Sequence, residues 1–140
     1  MQSVTEIVVR YAETDRMGIA HHANYLVWFE QARTEYTRKL SCSYSELEKR
    51  GLLSPLLSVE VHYLRTCTYE DRLQVICRLV KLSQAQMTFA YTVLREGEEQ
   101  PICTGVTRHA WVDAETFRPV SLKRRCPELY QELEQLVEPE

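Results

Sequence analysis

One short stretch, Glu13-Thr14-Asp15-Arg16-Met17-Gly18 followed by His21-His22, gathers most of the groups in this chain that could act on a covalent bond. Asp15 precedes a glycine in a loop, where a carboxylate can serve as a general base or a nucleophile. Asp is equally common there as a simple turn cap. Gly18 permits close approach of backbone to whatever occupies a cleft. His21 and His22 stand where a helical pattern begins. The first N–H groups of a helix lack internal partners and carry the positive end of its dipole, so a carbonyl oxygen placed there is stabilised as it gains charge. A packed or solvated imidazole is the plain alternative for either ring. No Cys, Glu or further His falls at ligand spacing from them, so no metal site is expected. No Gly-x-Ser-x-Gly elbow occurs. His62 and His109 fall on expected strands and are read as structural.

These groups need elements to position them. Thr5 to Tyr11 is rich in β-branched and aromatic residues, which predicts a strand running into the Asp15 loop. Tyr25, Phe29, Ala32, Tyr36 and Leu40 then recur at spacings of three and four, predicting a helix from Asn24, its N-cap, to about Leu40. Glu30 with Arg33, and Glu35 with Arg38 or Lys39, are spaced to pair along that helix. Ser43 or Ser45 caps a short second helix that Gly51 ends. Four β-rich stretches follow: Leu57 to Leu64, Leu73 to Leu82, Met87 to Arg95 and Ile102 to Val112. The links between the last three are short and polar, which favours antiparallel hairpins and leaves no room for crossover helices. Pro127 opens an acidic helix over about 127–138, with Leu129, Leu133 and Leu136 on one side. The expected fold is α+β, an antiparallel sheet of about five strands wrapped around one long central helix.

A chain of 140 residues with 44% hydrophobic content fits one domain spanning 1–140. No stretch of 18 apolar residues occurs, and the first residues lack the pattern of a signal peptide, so a cytoplasmic protein is expected. Five scattered cysteines without a CxxC pair fit reduced thiols. A net charge of −3 gives no field that attracts nucleic acid.

The run from Arg10 through Glu13-Thr14-Asp15, Gly18 and His21-His22-Ala23-Asn24-Tyr25 to Phe29-Glu30-Gln31-Ala32-Arg33 closely resembles the signature of the YbgC-like and 4-hydroxybenzoyl-CoA thioesterase-like acyl-CoA thioesterases. The likeness extends more loosely through Val61-His62-Tyr63 and Thr68 to Leu73, and covers roughly Thr5 to Pro119. It implies the hot-dog fold and hydrolysis of an acyl-CoA, or an acyl-carrier-protein thioester, without a cofactor. By the resemblance Asp15 matches the catalytic carboxylate, His22 the residue whose backbone N–H polarises the carbonyl, and Tyr25 an acyl-pocket position. Gly18 and Glu30 join the substrate-binding set. For the phosphates of CoA, Lys81 and Arg108 stand as candidates, with Arg65, Arg78 and Arg95 beside them, reaching the phosphates from strand ends or from a neighbouring protomer. Met17 before Gly18, and Thr66-Cys67-Thr68, depart from the family pattern and bear on acyl preference. A homodimer joined through sheet edges, assembling further into a tetramer, is expected. The rival reading is a non-hydrolytic acyl-binding or dehydratase-like hot-dog protein, in which His22 and Glu60 would form the acid-base pair. A third is a pure interaction module whose loop binds a protein.

Overall fold

The computed structural model describes all 140 residues. β1 (Gln2–Val8) alternates buried and exposed side chains, sending Ser3, Thr5 and Ile7 inward. A single 3₁₀ turn, Tyr11–Glu13, leads into the loop, and α1 (Asn24–Arg38) follows. After α2 (Tyr44–Lys49) come β2 (Leu52–Leu53) and β3 (Leu56–Tyr63). The hairpin series β4 (Arg72–Leu82), β5 (Gln86–Arg95) and β6 (Pro101–Ala110) builds the centre of the sheet. The chain ends in β7 (Val112–Asp113), α3 (Leu122–Arg125) and α4 (Pro127–Leu136).

Five strands form one sheet in the order β1-β4-β5-β6-β3, with every neighbouring pair antiparallel. The sheet curls around α1, whose Tyr25, Trp28, Phe29, Ala32 and Tyr36 are all buried. This is the hot-dog arrangement. Each large apolar side chain of that stripe removed from water contributes about 1.5–3 kcal/mol. Gly105 on β6 makes the closest approach possible: a Cβ there would stand 2.4 Å from the Phe29 ring. That ring lies flat on Tyr91, with centroids 4.4 Å apart.

Several local expectations change. Asn24 is the first helical residue rather than the cap; Ala23 takes the cap position without a side-chain bond, and the amide of Asn24 turns back to the loop instead. The helix stops at Arg38, with Leu40 half-buried beyond it. The Glu30–Arg33 pair does not form, because Arg33 reaches across to the phenol of Tyr91 at 3.0 Å. Neither Glu35–Arg38 nor Glu35–Lys39 is among the ion pairs. Ser43, not Ser45, caps α2, accepting from the Glu46 N–H. The tail helix ends at Leu136, after which Glu138 N–H donates to the carbonyl of Leu79 at the bulge of β4. No helix is long and apolar enough to cross a membrane. All five cysteines are buried and unbridged.

Candidate active site

The Asp15 loop is closed at its base by a bridge between Thr14 and Ala20. Within it Asp15 N–H donates to the Ile19 carbonyl and Gly18 N–H donates to the Asp15 carbonyl, both at 2.9 Å. Gly18 has φ +80, a left-handed conformation that explains the glycine at this turn. The turn is then tied to the β3–β4 connection: the Thr68 hydroxyl donates to the Gly18 carbonyl at 2.7 Å, and Ala20 N–H to the Cys67 carbonyl at 2.8 Å. Asp15 is half-buried. Its Oδ1 accepts from the Met17 N–H at 2.8 Å, so the side chain does cap the turn. Oδ2 accepts no hydrogen bond from the protein.

Glu13, which the sequence reading passed over, fixes the loop to the helix. Its carboxylate is 4% exposed and accepts from the Arg10 backbone N–H and the Trp28 indole, both at 2.8 Å. Burial acts to raise its pKa, but those bonds, together with the Arg10 side chain 3.3 Å away, outweigh it and hold the group ionised. Its backbone carbonyl accepts from His21 N–H and from the Asn24 side chain, each at 2.8 Å. A single residue thereby connects the chain just after β1, the loop and the first two turns of α1. Its only sequence signal was an acidic residue among others.

At the start of α1, the His22 backbone N–H makes no hydrogen bond within the protein, as expected of a residue ahead of the first helical turn. The His22 carbonyl accepts from the Tyr63 hydroxyl at 3.0 Å, which anchors the end of β3 against the helix start. Both imidazoles are exposed and lie on each other, with centroids 4.1 Å apart. Tyr25 is core: it is 3% exposed, its hydroxyl meets the Cys67 thiol at 3.2 Å, and burial holds its pKa far above the ordinary phenol value.

The remaining substrate-binding candidates are not gathered at the loop. Glu30 lies on the exposed side of α1, where it lines a recess against β3. Lys81 and Arg108 sit at the other end of the sheet, on the face turned away from α1, in a groove shared with Glu60 and Thr88. Lys81 is engaged by Glu140 at 3.4 Å. Arg65 and Arg95 are committed to Glu98, and Arg78 to the Pro139 carbonyl. Glu60 bonds His62 at 3.2 Å on that same outer face, so within one chain it does not meet His22. None of the five best-defined cavities of the single chain is lined by Asp15 or His22.

A family model described as the thioesterase-like superfamily matches residues 9–133. The chain is 36% identical over 126 residues to YneP of Bacillus subtilis (strain 168), whose name marks it as a candidate acyl-CoA thioesterase; the match covers 90% of this chain and 91% of that one. It is 27% identical over 126 residues to the acyl-CoA thioesterase YbgC of Haemophilus influenzae, covering 89% and 91%. Among solved structures, a DHNA-CoA thioesterase from Staphylococcus aureus superposes with a TM-score of 0.88 at 37% identity, over 96% of this chain and 92% of that one.

Proposed function

The chain belongs to the thioesterase-like superfamily, and from that premise we propose that it hydrolyses an acyl-CoA thioester to the free acid and CoA, with Asp15 as the catalytic carboxylate and the His22 backbone N–H as the oxyanion donor. The observation that carries this reading is the pairing, in one braced loop, of a carboxylate oxygen with no protein partner and a helix-start N–H with no acceptor. A thioester carbonyl is electrophilic enough to need little more. As general base, Asp15 takes a proton from water as the water oxygen bonds to the carbonyl carbon; the C–S bond then breaks and the thiolate of CoA recovers a proton. As nucleophile, its Oδ2 bonds to the carbonyl carbon and the C–S bond breaks, releasing the CoA thiolate, which takes up a proton, and leaving a mixed anhydride that water opens to the free acid and the Asp15 carboxylate. Either route places negative charge on the carbonyl oxygen, where the His22 N–H and the helix dipole lower the barrier.

The same proposal includes a homodimer joined along β3. That strand is one of the two edges of the sheet, the other being β1, and Leu57 and Tyr63 on it, Leu64 just beyond it, and Leu26 and Val27 on α1 are each more than 40% exposed. Pairing two β3 edges would cover this strip and wall the helix-start region with a second chain. The tetramer remains the larger assembly to be measured alongside it.

The deciding experiment is free-thiol release across short aliphatic, long aliphatic, benzoyl, 4-hydroxybenzoyl and 1,4-dihydroxy-2-naphthoyl CoA thioesters. Turnover of at least one supports the reading. No thiol release from any of them, or loss of water from a 3-hydroxyacyl-CoA instead, would overturn it.

A further inference from the structure

Asn24 is the first residue of α1, and its side chain does the opposite of what a cap does. A capping Asn accepts from an N–H of the first turn, whereas this amide donates. Its Nδ2 gives one hydrogen to the Glu13 carbonyl at 2.8 Å and the other to the His21 carbonyl at 3.2 Å. Both neighbours are acceptors only, so the nitrogen and not the oxygen of the amide must face them. The Asn24 backbone N–H also donates to the His21 carbonyl, at 3.0 Å. One residue thus fills both lone pairs of a single carbonyl oxygen.

That oxygen belongs to the peptide unit whose N–H is that of His22. A trans peptide is planar, with its N–H antiparallel to its C=O, so holding the oxygen on one side aims the N–H to the other. Hydrogen bonds to the oxygen also polarise the unit, which strengthens its N–H as a donor by about 10–30% per bond. The neighbouring donors are all spent. His21 N–H goes to the Glu13 carbonyl at 2.8 Å, Ala23 N–H to His21 Nδ1 at 3.3 Å and Tyr25 N–H to the His22 carbonyl at 3.4 Å. From His21 to Tyr25, His22 alone keeps a free N–H, and it sits on the peptide unit whose carbonyl takes both Asn24 bonds. Through the Glu13 carbonyl the same amide also grips the chain two residues before Asp15, so donor and carboxylate share one anchor.

We infer that Asn24 is a positioning residue for thioester cleavage, aiming and strengthening the His22 N–H through the His21 carbonyl without touching the substrate. The inference rests on the reading of that N–H as the oxyanion donor. Because the charge that draws on the donor develops only as the carbonyl is attacked, Asn24 acts on kcat rather than on KM.

The test is Asn24→Ala, which keeps a good helix former at this position while removing both side-chain bonds. On the CoA thioester that the wild type cleaves fastest, kcat should fall about 10-fold or more, with KM within about twofold of wild type. Amide correlation spectra supply a readout that a merely structural role would not give, since a peptide nitrogen is deshielded when the carbonyl of its own unit accepts a hydrogen bond. The Thr14 and His22 nitrogens, whose units each lose a bond, should move upfield while those of Met17 and Gly18 in the loop stay in place. A wild-type kcat, or a loss carried by KM alone, overturns the inference. So does an unmoved His22 nitrogen, or a displacement of Met17 and Gly18 along with it, which makes Asn24 a structural tie. Asn24→Ser, with one shorter donor, takes the same readings if the alanine variant does not fold. If Asp15→Asn abolishes thiol release and Asn24→Ala does not, the hydrolase reading stands and the inference falls. If the wild type releases no thiol from any thioester, the hydrolase reading fails first, and the His22 nitrogen shift alone decides whether Asn24 holds that N–H.

Discussion

Two buried polar side chains govern how the site is held and how the fold responds to pH. The Glu13 carboxylate faces only donors: the Arg10 N–H, the Arg10 guanidinium and the Trp28 indole. Glu13→Gln turns one acceptor into an NH₂ that opposes an N–H, leaving buried donors unsatisfied, which costs about 1–3 kcal/mol. A fall in the thermal midpoint of several degrees is expected, together with a larger loss in kcat than in KM, because the loop and helix start lose their common brace. Unchanged melting and kinetics would show that the brace is dispensable. His109 is 1% exposed; burial, reinforced by the charge of Arg33, pushes its pKa down to about 4, with the Ser54 backbone opposing. The unfolded chain therefore binds a proton on this ring below about pH 6.5 that the folded chain refuses, so stability falls as pH drops from 6.5 towards 4, by roughly 3 kcal/mol at most. Denaturant titrations at pH 7 and pH 4.5 should show this loss in wild type and a smaller one in His109→Gln; equal losses would contradict it. The residues of the proposed site were legible at this scale, because Asp15, Gly18 and His22 fall in one contiguous run. Glu13 was not, since nothing local distinguishes a buried carboxylate from a solvated one until Trp28 arrives from the helix.

At the scale of elements, α1 meets β6 where the Phe29 ring lies over Gly105. Replacing Gly105 by Ala would drive a methyl group into the Phe29 ring, and overpacking of this kind costs about 1–3 kcal/mol. A correspondingly lower urea midpoint for Gly105→Ala is expected, and a midpoint equal to wild type would show that the ring moves freely. The strands were readable in the sequence because β-branched runs and short polar links leave few alternatives; β3 to β6 lay within a residue or two of their expected bounds, whereas β1 starts and ends three residues earlier than the expected Thr5 to Tyr11. β2, β7 and α3, of two to four residues each, carry too little pattern to be seen. The apolar stripe placed Tyr25 on the core side of α1, and the structure keeps it there. Lys81 and Arg108 illustrate the opposite case. Which end and face of a sheet a residue occupies depends on strand order, and the order β1-β4-β5-β6-β3 places both at the end of the sheet away from the Asp15 loop of the same chain, which leaves the phosphate role to be met from a neighbouring protomer.

For the whole molecule, β3 is one of two sheet edges and the one where exposed apolar side chains continue onto α1 through Leu26 and Val27. Sedimentation equilibrium is expected to give at least twice the 16.5 kDa chain mass. Leu57→Asp, which introduces a charge at an exposed position of that edge, should shift the population towards single chains. A wild-type protein that sediments as one chain would remove the dimer from this account. The central claim, that a carboxylate in the loop drives thioester cleavage, is tested most directly by Asp15→Asn. The substitution keeps size and shape while deleting the charge. On an acyl-CoA that the wild type cleaves, free-thiol release by the correctly folded variant is expected to fall by about 10²–10⁴-fold. Release close to the wild-type rate would contradict the claim.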